Sequence, residues 1–263
     1  MDITGYFASI LIGISLGLIG GGGSILTVPV LVYLFTVDTV LATTYSLFIV
    51  GSTSLAGSIS YFKKDLINFK TAMVFGVPSI VAVFLTRTYF LPAIPEHIAS
   101  LGTLIITKST LLLIFFAVLM VLASYSMIKK DKKKEGDQNK PINNFLVVIQ
   151  GVITGIVTGL IGAGGGFLII PALVNLLKLP MKVAIGTSLV IIAVNSLAGF
   201  AFSVGHASIH WSFLFTVTSI AIVGIFIGSF ISTKIDSKKL KPAFGWFVLA
   251  MGIYIIIKET LLK

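Results

Sequence analysis

The residues with the clearest chemical potential in this chain are glycines. Residues 17–29 read GLIGGGGSILTVP and residues 159–171 read GLIGAGGGFLIIP, so Gly20, Gly21, Gly22 and Gly23 are answered 142 positions later by Gly162, Ala163, Gly164 and Gly165. Glycine in a helix interior costs about 1 kcal/mol relative to alanine, so consecutive glycines in an apolar segment interrupt a helix. The helix is expected to restart at Ser24 or Ile25 in the first half and at Gly166 or Phe167 in the second. A restarting helix leaves backbone N–H groups free beside the positive end of its dipole. With no side chain in the way a ligand approaches that backbone closely, and the ligand such a place favours is an anion. Each charge-assisted hydrogen bond contributes roughly 1.5–3 kcal/mol and each dipole end up to about 2 kcal/mol. These terms offset only part of an anion's dehydration, which points to a partly hydrated site of moderate affinity.

Four polar side chains join the glycines as candidates because they occupy equivalent positions in the two copies: Thr53 and Ser54 in the first, Asn195 and Ser196 in the second. A buried amide such as Asn195 is costly in lipid unless paired, and a helix-to-helix hydrogen bond explains it as well as a ligand does. The competing reading of the glycines is close helix packing, the role expected of the spaced pairs Gly13 with Gly17, Gly151 with Gly155, and Gly224 with Gly228. Pro29 and Pro171, at matched positions behind the two runs, favour a shaped site over simple packing.

Other chemistry is excluded residue by residue. Neither run carries the Lys and Ser/Thr of a P-loop or the G-x-G-x-x-G spacing of a dinucleotide fold. The chain has no cysteine, which removes disulfides, thiolate metal sites and cysteine nucleophiles. His206 and His210 stand at i, i+4 with no carboxylate cluster to complete a metal site, and are expected to be solvated. Asp38, Asp65, Glu96 and Asp236 fall at segment ends and Lys108 at a boundary, so no catalytic constellation and no buried proton relay is visible. The expectation is a protein that is not an enzyme and that uses no cofactor or metal.

The elements that must hold these glycines are membrane segments. Hydrophobic residues make up 56% of the chain and charged residues 11%, mean hydropathy is +1.08, and long apolar runs recur throughout, which defines a polytopic membrane protein. The first run has no Lys or Arg before it and is expected as a membrane segment and not a cleaved leader. The net charge of +10 sits between apolar segments, where topology and lipid contact explain it and nucleic acid does not. Glycine-split segments are expected at 3–36 and 143–177, with spans at 39–62, 71–90, 103–128, 181–204, 211–233 and 242–257. The charged stretch 129–141 reads as a linker between an N-terminal repeat, 1–128, and a C-terminal repeat, 142–263.

The repeats align without a gap at a shift of 142 from Gly13 to Gly57, with roughly twenty of 45 pairs identical, among them Pro29 with Pro171 and Ser46 with Ser188. An internal duplication in a membrane protein puts a substrate site at the repeat interface near the bilayer midplane. A straight helix over 34 residues would measure about 51 Å, against a hydrocarbon core of roughly 30 Å. If each split segment instead enters and leaves on one side, the halves are inverted and the Lys and Arg divide fifteen inside to four outside, as the positive-inside rule prefers. The expected fold class is therefore all-α polytopic, with two inverted repeats, each a glycine-broken re-entrant helix pair plus three transmembrane helices.

At the duplicated phrases GLIGGGGSILTVP and GLIGAGGGFLIIP, and at TSLVIIAVNSLAGF over 187–200, the chain resembles the sulfite exporter TauE/SafE family over nearly its whole length. The resemblance implies a multi-pass protein of a prokaryotic cytoplasmic membrane. It implies export of sulfite or small organosulfur anions such as sulfoacetate. It carries over Gly20 to Gly23, Gly162, Gly164 and Gly165 as substrate-contacting backbone, with Pro29 and Pro171 shaping it; Ala163 departs from the pattern. A non-transporting membrane scaffold or accessory subunit and an ion channel remain the alternatives. A solvated cavity reaching both glycine breaks would speak against the scaffold.

Overall fold

The structure, a computed structural model, describes residues 3–101, 104–128, 144–175, 177–206, 208–232 and 237–261. The expected linker 129–141, Lys234 and Asp236 lie outside the described residues.

The chain is almost wholly helical. Helix α1 (Ile3–Ile19) ends at the first glycine run, which forms a 3₁₀ turn over Gly20–Leu26. One α turn, α2 (Thr27–Pro29), and a π turn (Val30–Leu34) follow. The first half continues with α3 (Thr39–Phe62), then α4 (Phe69–Leu85), whose path runs on through a π turn (Thr86–Phe90) into α5 (Leu91–Ala93). Strands β1 (His97–Leu101) and β2 (Leu104–Thr107) pair antiparallel before α6 (Lys108–Ile128). The second half is α7 (Asn144–Ile161), α8 (Gly166–Asn175), α9 (Met181–Ser203), α10 (Trp211–Ser232) and α11 (Ser237–Leu261).

Five of these stretches are long and apolar enough to cross a membrane among the described residues: α3, α4 through α5, α6 from Lys108 to Tyr125, α9, and α10 to Ile231. The sequence places the third span from residue 103, whereas its helix starts at Lys108. The preceding Ile105, Ile106 and Thr107 are β-branched and pair as a strand instead. The last helix is longer than the 242–257 expected, because a lysine-rich first turn joins it.

Local chemistry sets several boundaries. Asp38 accepts the N–H groups of Val40 (2.9 Å) and Leu41 (3.2 Å) and so caps α3, and Asn68 caps α4 through the Thr71 N–H (2.9 Å). The two copies share two features where their second segments end. Thr36 and Lys178, 142 apart, both take left-handed backbone at φ 54°. Behind them Val37 N–H donates to the Leu31 carbonyl (3.0 Å) and Leu179 N–H to the Leu173 carbonyl (3.1 Å), the long-range bond of a left-handed helix cap.

Each broken segment doubles back on itself. Gly5 at the start of α1 lies against the Phe35 ring, and Gly23, the last glycine of the run, lies against Ser15 and Leu16; Tyr6 and Phe35 also meet edge to face with ring centroids 5.7 Å apart. In the second half Gly165 folds onto Thr154 and Thr158 of α7.

The halves interlock by exchanging partners. Gly13 and Gly17 of α1 meet Gly224 and Gly228 of α10 in ascending order, so these helices run parallel; Gly151 and Gly155 of α7 meet Phe75 and Ser79 of α4 in the same way. At the centre α3 and α9 cross antiparallel, with Gly199 against Leu47, Gly51 against Leu197 and Gly186 against Tyr61. Helix α6 packs on α11. The outer faces carry exposed Phe7, Met73, Phe145, Phe230 and Trp246, while serines and threonines are buried inside. That apolar-out, polar-in distribution suits a lipid surround.

Candidate functional site

The two glycine breaks meet at the centre of the molecule. Gly21 and Gly166 are in backbone contact, and a Cβ added to either would overlap the other's main chain. Gly20 (φ 71°), Gly162 (φ 76°), Gly164 (φ 67°) and Gly165 (φ 66°) take the left-handed backbone that glycine alone adopts freely. Gly20 lies against Ile185 of α9, and Gly162, its equivalent, against the main chain of Thr43 in α3.

The breaks differ in what they offer a ligand. In the first, the 3₁₀ turn runs to Leu26 and the α-helix restarts at Thr27, later than Ser24 or Ile25, because i to i+3 bonding carries the chain through the glycines. Ser24 Oγ donates to the Gly21 carbonyl (2.8 Å), and Ser15 Oγ donates to the Ile12 carbonyl (2.8 Å). These two hydroxyls are occupied by their own chain, while Thr27 Oγ1, where the α-helix restarts, is buried without a partner. The immediate surroundings of Gly22 lie outside the described residues.

In the second, Gly162 N–H closes α7 onto the Thr158 carbonyl (2.8 Å) and the Gly165 carbonyl accepts from Leu168 (2.9 Å) and Ile169 (3.1 Å). Helix α8 thus starts at Gly166 with its first N–H groups lacking partners inside the helix. Buried hydroxyls without a hydrogen-bond partner surround this turn: Ser196 Oγ beside Gly164, Thr158 Oγ1 beside Gly165, and Thr154 Oγ1 one helical turn earlier on α7. Unpaired buried hydroxyls are uncommon, and a cluster of them marks a place where water or a ligand completes the bonding.

The four predicted polar side chains divide. Ser54 and Ser196 are fully buried with free hydroxyls, Asn195 donates from Nδ2 to Ser79 Oγ (2.6 Å) and leaves Oδ1 unpaired, and Thr53 is spent on the Ile49 carbonyl of its own helix. Pro29 and Pro171 both lie within the helical return arms, Pro29 closing the single turn of α2 and Pro171 inside α8. His210 is exposed, with its N–H held by Tyr45 Oη (2.8 Å); the His206 side chain lies outside the described residues.

One residue overturns an expectation. Arg87, one of the four Lys and Arg that the charge count leaves outside although it falls within the expected span 71–90, is 4% exposed and lies in the π turn inside the α4 to α5 span. Its Nη1 donates to Thr44 Oγ1 (3.3 Å), while Nε and Nη2 have no hydrogen-bond partner. The adjoining Thr86, also with an unpaired hydroxyl, packs against Gly159, where a Cβ would fall 2.6 Å from it. Arg87 thus stands beside the second break, between the Thr43–Thr44 turn that touches Gly162 and the end of α7. Its signal was present in the sequence, for it is the only arginine among nineteen basic residues. Thr154 and Thr158 were likewise visible as polar replacements for Ile12 and Leu16 of the first copy.

Two clefts open elsewhere. One of about 120 Å³ lies between α4 and α9 and reaches Asn195; the other, about 350 Å³, lies between the first hairpin and α11 and is bordered by Tyr33 and Lys258. Neither is lined by a break glycine.

A helical bundle with apolar faces outward, polar groups inward and two interlocked halves around a central pair of chain breaks is a multi-pass membrane protein built like a transporter. The chain belongs to the sulfite exporter TauE/SafE family of membrane transporters, whose model matches residues 6–255. It is 29% identical to a probable membrane transporter protein of Xylella fastidiosa (strain 9a5c), over 94% of this chain and 91% of that protein. A protein of the same description from Methanocaldococcus jannaschii is 26% identical over 94% of this chain and 92% of its own, and Bacillus subtilis YunE is 24% identical over 91% of each. No solved structure matches the chain.

Proposed function

We propose that this protein carries a small sulfur-containing oxyanion, sulfite or an organosulfonate, out of a prokaryotic cell across the cytoplasmic membrane. The observation that carries the reading is the second glycine break: left-handed Gly162, Gly164 and Gly165 opening a helix N-terminus amid unpaired buried hydroxyls. Backbone donors at a helix start and neutral hydroxyls favour an anion. The first break, where Ser15 and Ser24 are internally bonded and Thr27 Oγ1 is free, serves as the facing wall.

The topology that fits is an inverted repeat with six full spans and two re-entrant hairpins. Antiparallel α3 and α9, and the return of each broken segment toward its own entry side, support it. Lys63, Lys64, Lys70, Lys178 and Lys182 then share the cytoplasmic face. Carriage requires the Gly21–Gly166 contact to part, so that the arms admit an ion in turn from each side. That same contact favours the second reading, a scaffold in which the glycines only pack.

Flux of labelled sulfite in proteoliposomes, with sulfoacetate and sulfate as competitors, separates the two. Wild-type protein is expected to move sulfite, and Gly164→Leu, which drives a side chain into Val50, Ile192 and Ser196, to insert in the membrane yet lose flux by at least 10-fold. Equal flux in the variant, or none in the wild type, leaves the packing role standing.

A further inference from the structure

We infer that Arg87 is the charged half of the anion site and that it selects monovalent oxyanions presenting two oxygens side by side. The inference rests on the carrier reading and deepens it, since the glycine motif favours an anion but fixes neither its charge number nor its geometry.

The argument begins with the open edge. A guanidinium offers two bidentate faces, and Nε–H with the Nη2 hydrogen beside it forms one of them. In Arg87 the opposite nitrogen, Nη1, is the one held by Thr44, and Nε and Nη2 are the two without partners. The Thr44 hydroxyl is itself anchored, donating to the Val40 carbonyl (3.3 Å). The planar group is thereby fixed with its two-donor edge unspent, a shape that matches two oxygens of a sulfonate, sulfite or carboxylate and not a halide.

Burial adds the second part. An arginine in a membrane-spanning stretch is retained against a large desolvation penalty, and such residues mark ion paths or pair with another charge. No carboxylate pairs with Arg87 among the described residues, where the ion pair present joins Lys108 to Glu96 (3.9 Å). The site therefore holds one uncompensated positive charge. A monoanion such as a sulfonate or hydrogen sulfite neutralises it, whereas a dianion such as sulfate leaves a net negative charge in a low-dielectric interior. Position completes the case, because Thr86 touches Gly159 and Thr43, next to the Thr44 that holds Arg87, touches Gly162, which sets Arg87 beside the second break. Ser229 stands 142 residues on from Arg87, so the charge belongs to one half only.

The test uses the full-length protein in detergent and reads the saturable rise in melting temperature on titration with methanesulfonate, sulfate and chloride at constant ionic strength. For the wild type, half-saturation by methanesulfonate is expected at a concentration at least 10-fold below that for sulfate, with no saturation by chloride. Arg87→Lys keeps the charge and most of the stem but loses the fork, and is expected to raise the methanesulfonate concentration at least 10-fold; Arg87→Gln abolishes the effect. Should Arg87→Gln fail to fold, the Lys variant and the wild-type order of ions decide the matter alone. Unchanged half-saturation in Arg87→Lys, or sulfate binding as tightly as methanesulfonate in the wild type, overturns the assignment. If the wild type carries sulfite while Arg87→Lys binds and carries as well as it does, only this inference falls; if the wild type neither binds an oxyanion nor carries one, the carrier reading falls with it.

Discussion

At Thr158 stability and the proposed carriage make opposite demands on a single atom. Its hydroxyl is buried without a partner beside Gly165, where the first copy has Leu16. A buried unpaired hydroxyl lowers stability by about 1–3 kcal/mol relative to a satisfied one, so its retention in a well-packed helix calls for a ligand or water that bonds to it. Thr158→Val preserves the shape and removes the hydroxyl. The melting temperature of the purified variant is expected to hold or rise by a few degrees, while sulfite flux falls at least 10-fold. Flux equal to wild type would make the hydroxyl incidental. Arg87 follows the same logic with a charge in place of a dipole, and the two groups flank one turn from different helices.

At the level of elements, the glycines of the breaks and those of the helix interiors do different work. Gly162 combines a left-handed backbone with the main chain of Thr43 pressed against it. Alanine there carries about 1–2 kcal/mol of backbone strain before the overlap is counted. Gly76, inside α4, has nothing within 4 Å of where a Cβ would sit, so alanine there is expected to stabilise by about 0.5–1 kcal/mol through helix propensity. Thermal unfolding in detergent should therefore place Gly162→Ala well below wild type and Gly76→Ala at or above it. Two equal, small effects would mean that the second break adapts freely and is not a built turn. The breaks were legible in sequence because consecutive glycines disrupt a helix whatever surrounds them. The form of the first was not, since a 3₁₀ path through Gly20–Leu26 depends on the neighbours that Gly20 and Gly21 find on α8 and α9.

Over the whole molecule the decisive relation is the exchange of partners between halves, with α1 on α10, α4 on α7, and α3 against α9. The absence of cysteine from the sequence makes its orientation directly measurable. In an inverted repeat, Lys64→Cys and Lys182→Cys face the same side and Glu96→Cys the other. In a repeat where each half crosses four times, Lys64→Cys and Lys182→Cys face opposite sides. Labelling each single-cysteine variant with a membrane-impermeant maleimide, in intact cells and in inverted vesicles, is expected to group Lys64 with Lys182. Labelling of those two from opposite sides would refute the inverted arrangement and, with it, the re-entry of the glycine arms.

The sequence by itself determined the membrane class, the duplication and the places where helices stop, because each depends on composition or on rules acting within a few residues. Family membership followed from the same phrases, over residues 6–255. Only the tertiary structure decided which buried polar groups lie near the second break. Arg87 reads locally as a charge at the end of an apolar run, and its burial arises because the span continues to Ala93 and a π turn at Thr86–Phe90 carries it against α3 and α7. Thr154 and Thr158 read as ordinary helix-packing residues until α8 folds back to place Gly165 against them. The two glycine runs, 142 residues apart, meet only because each half packs its helices on the other, a long-range arrangement that no local pattern encodes.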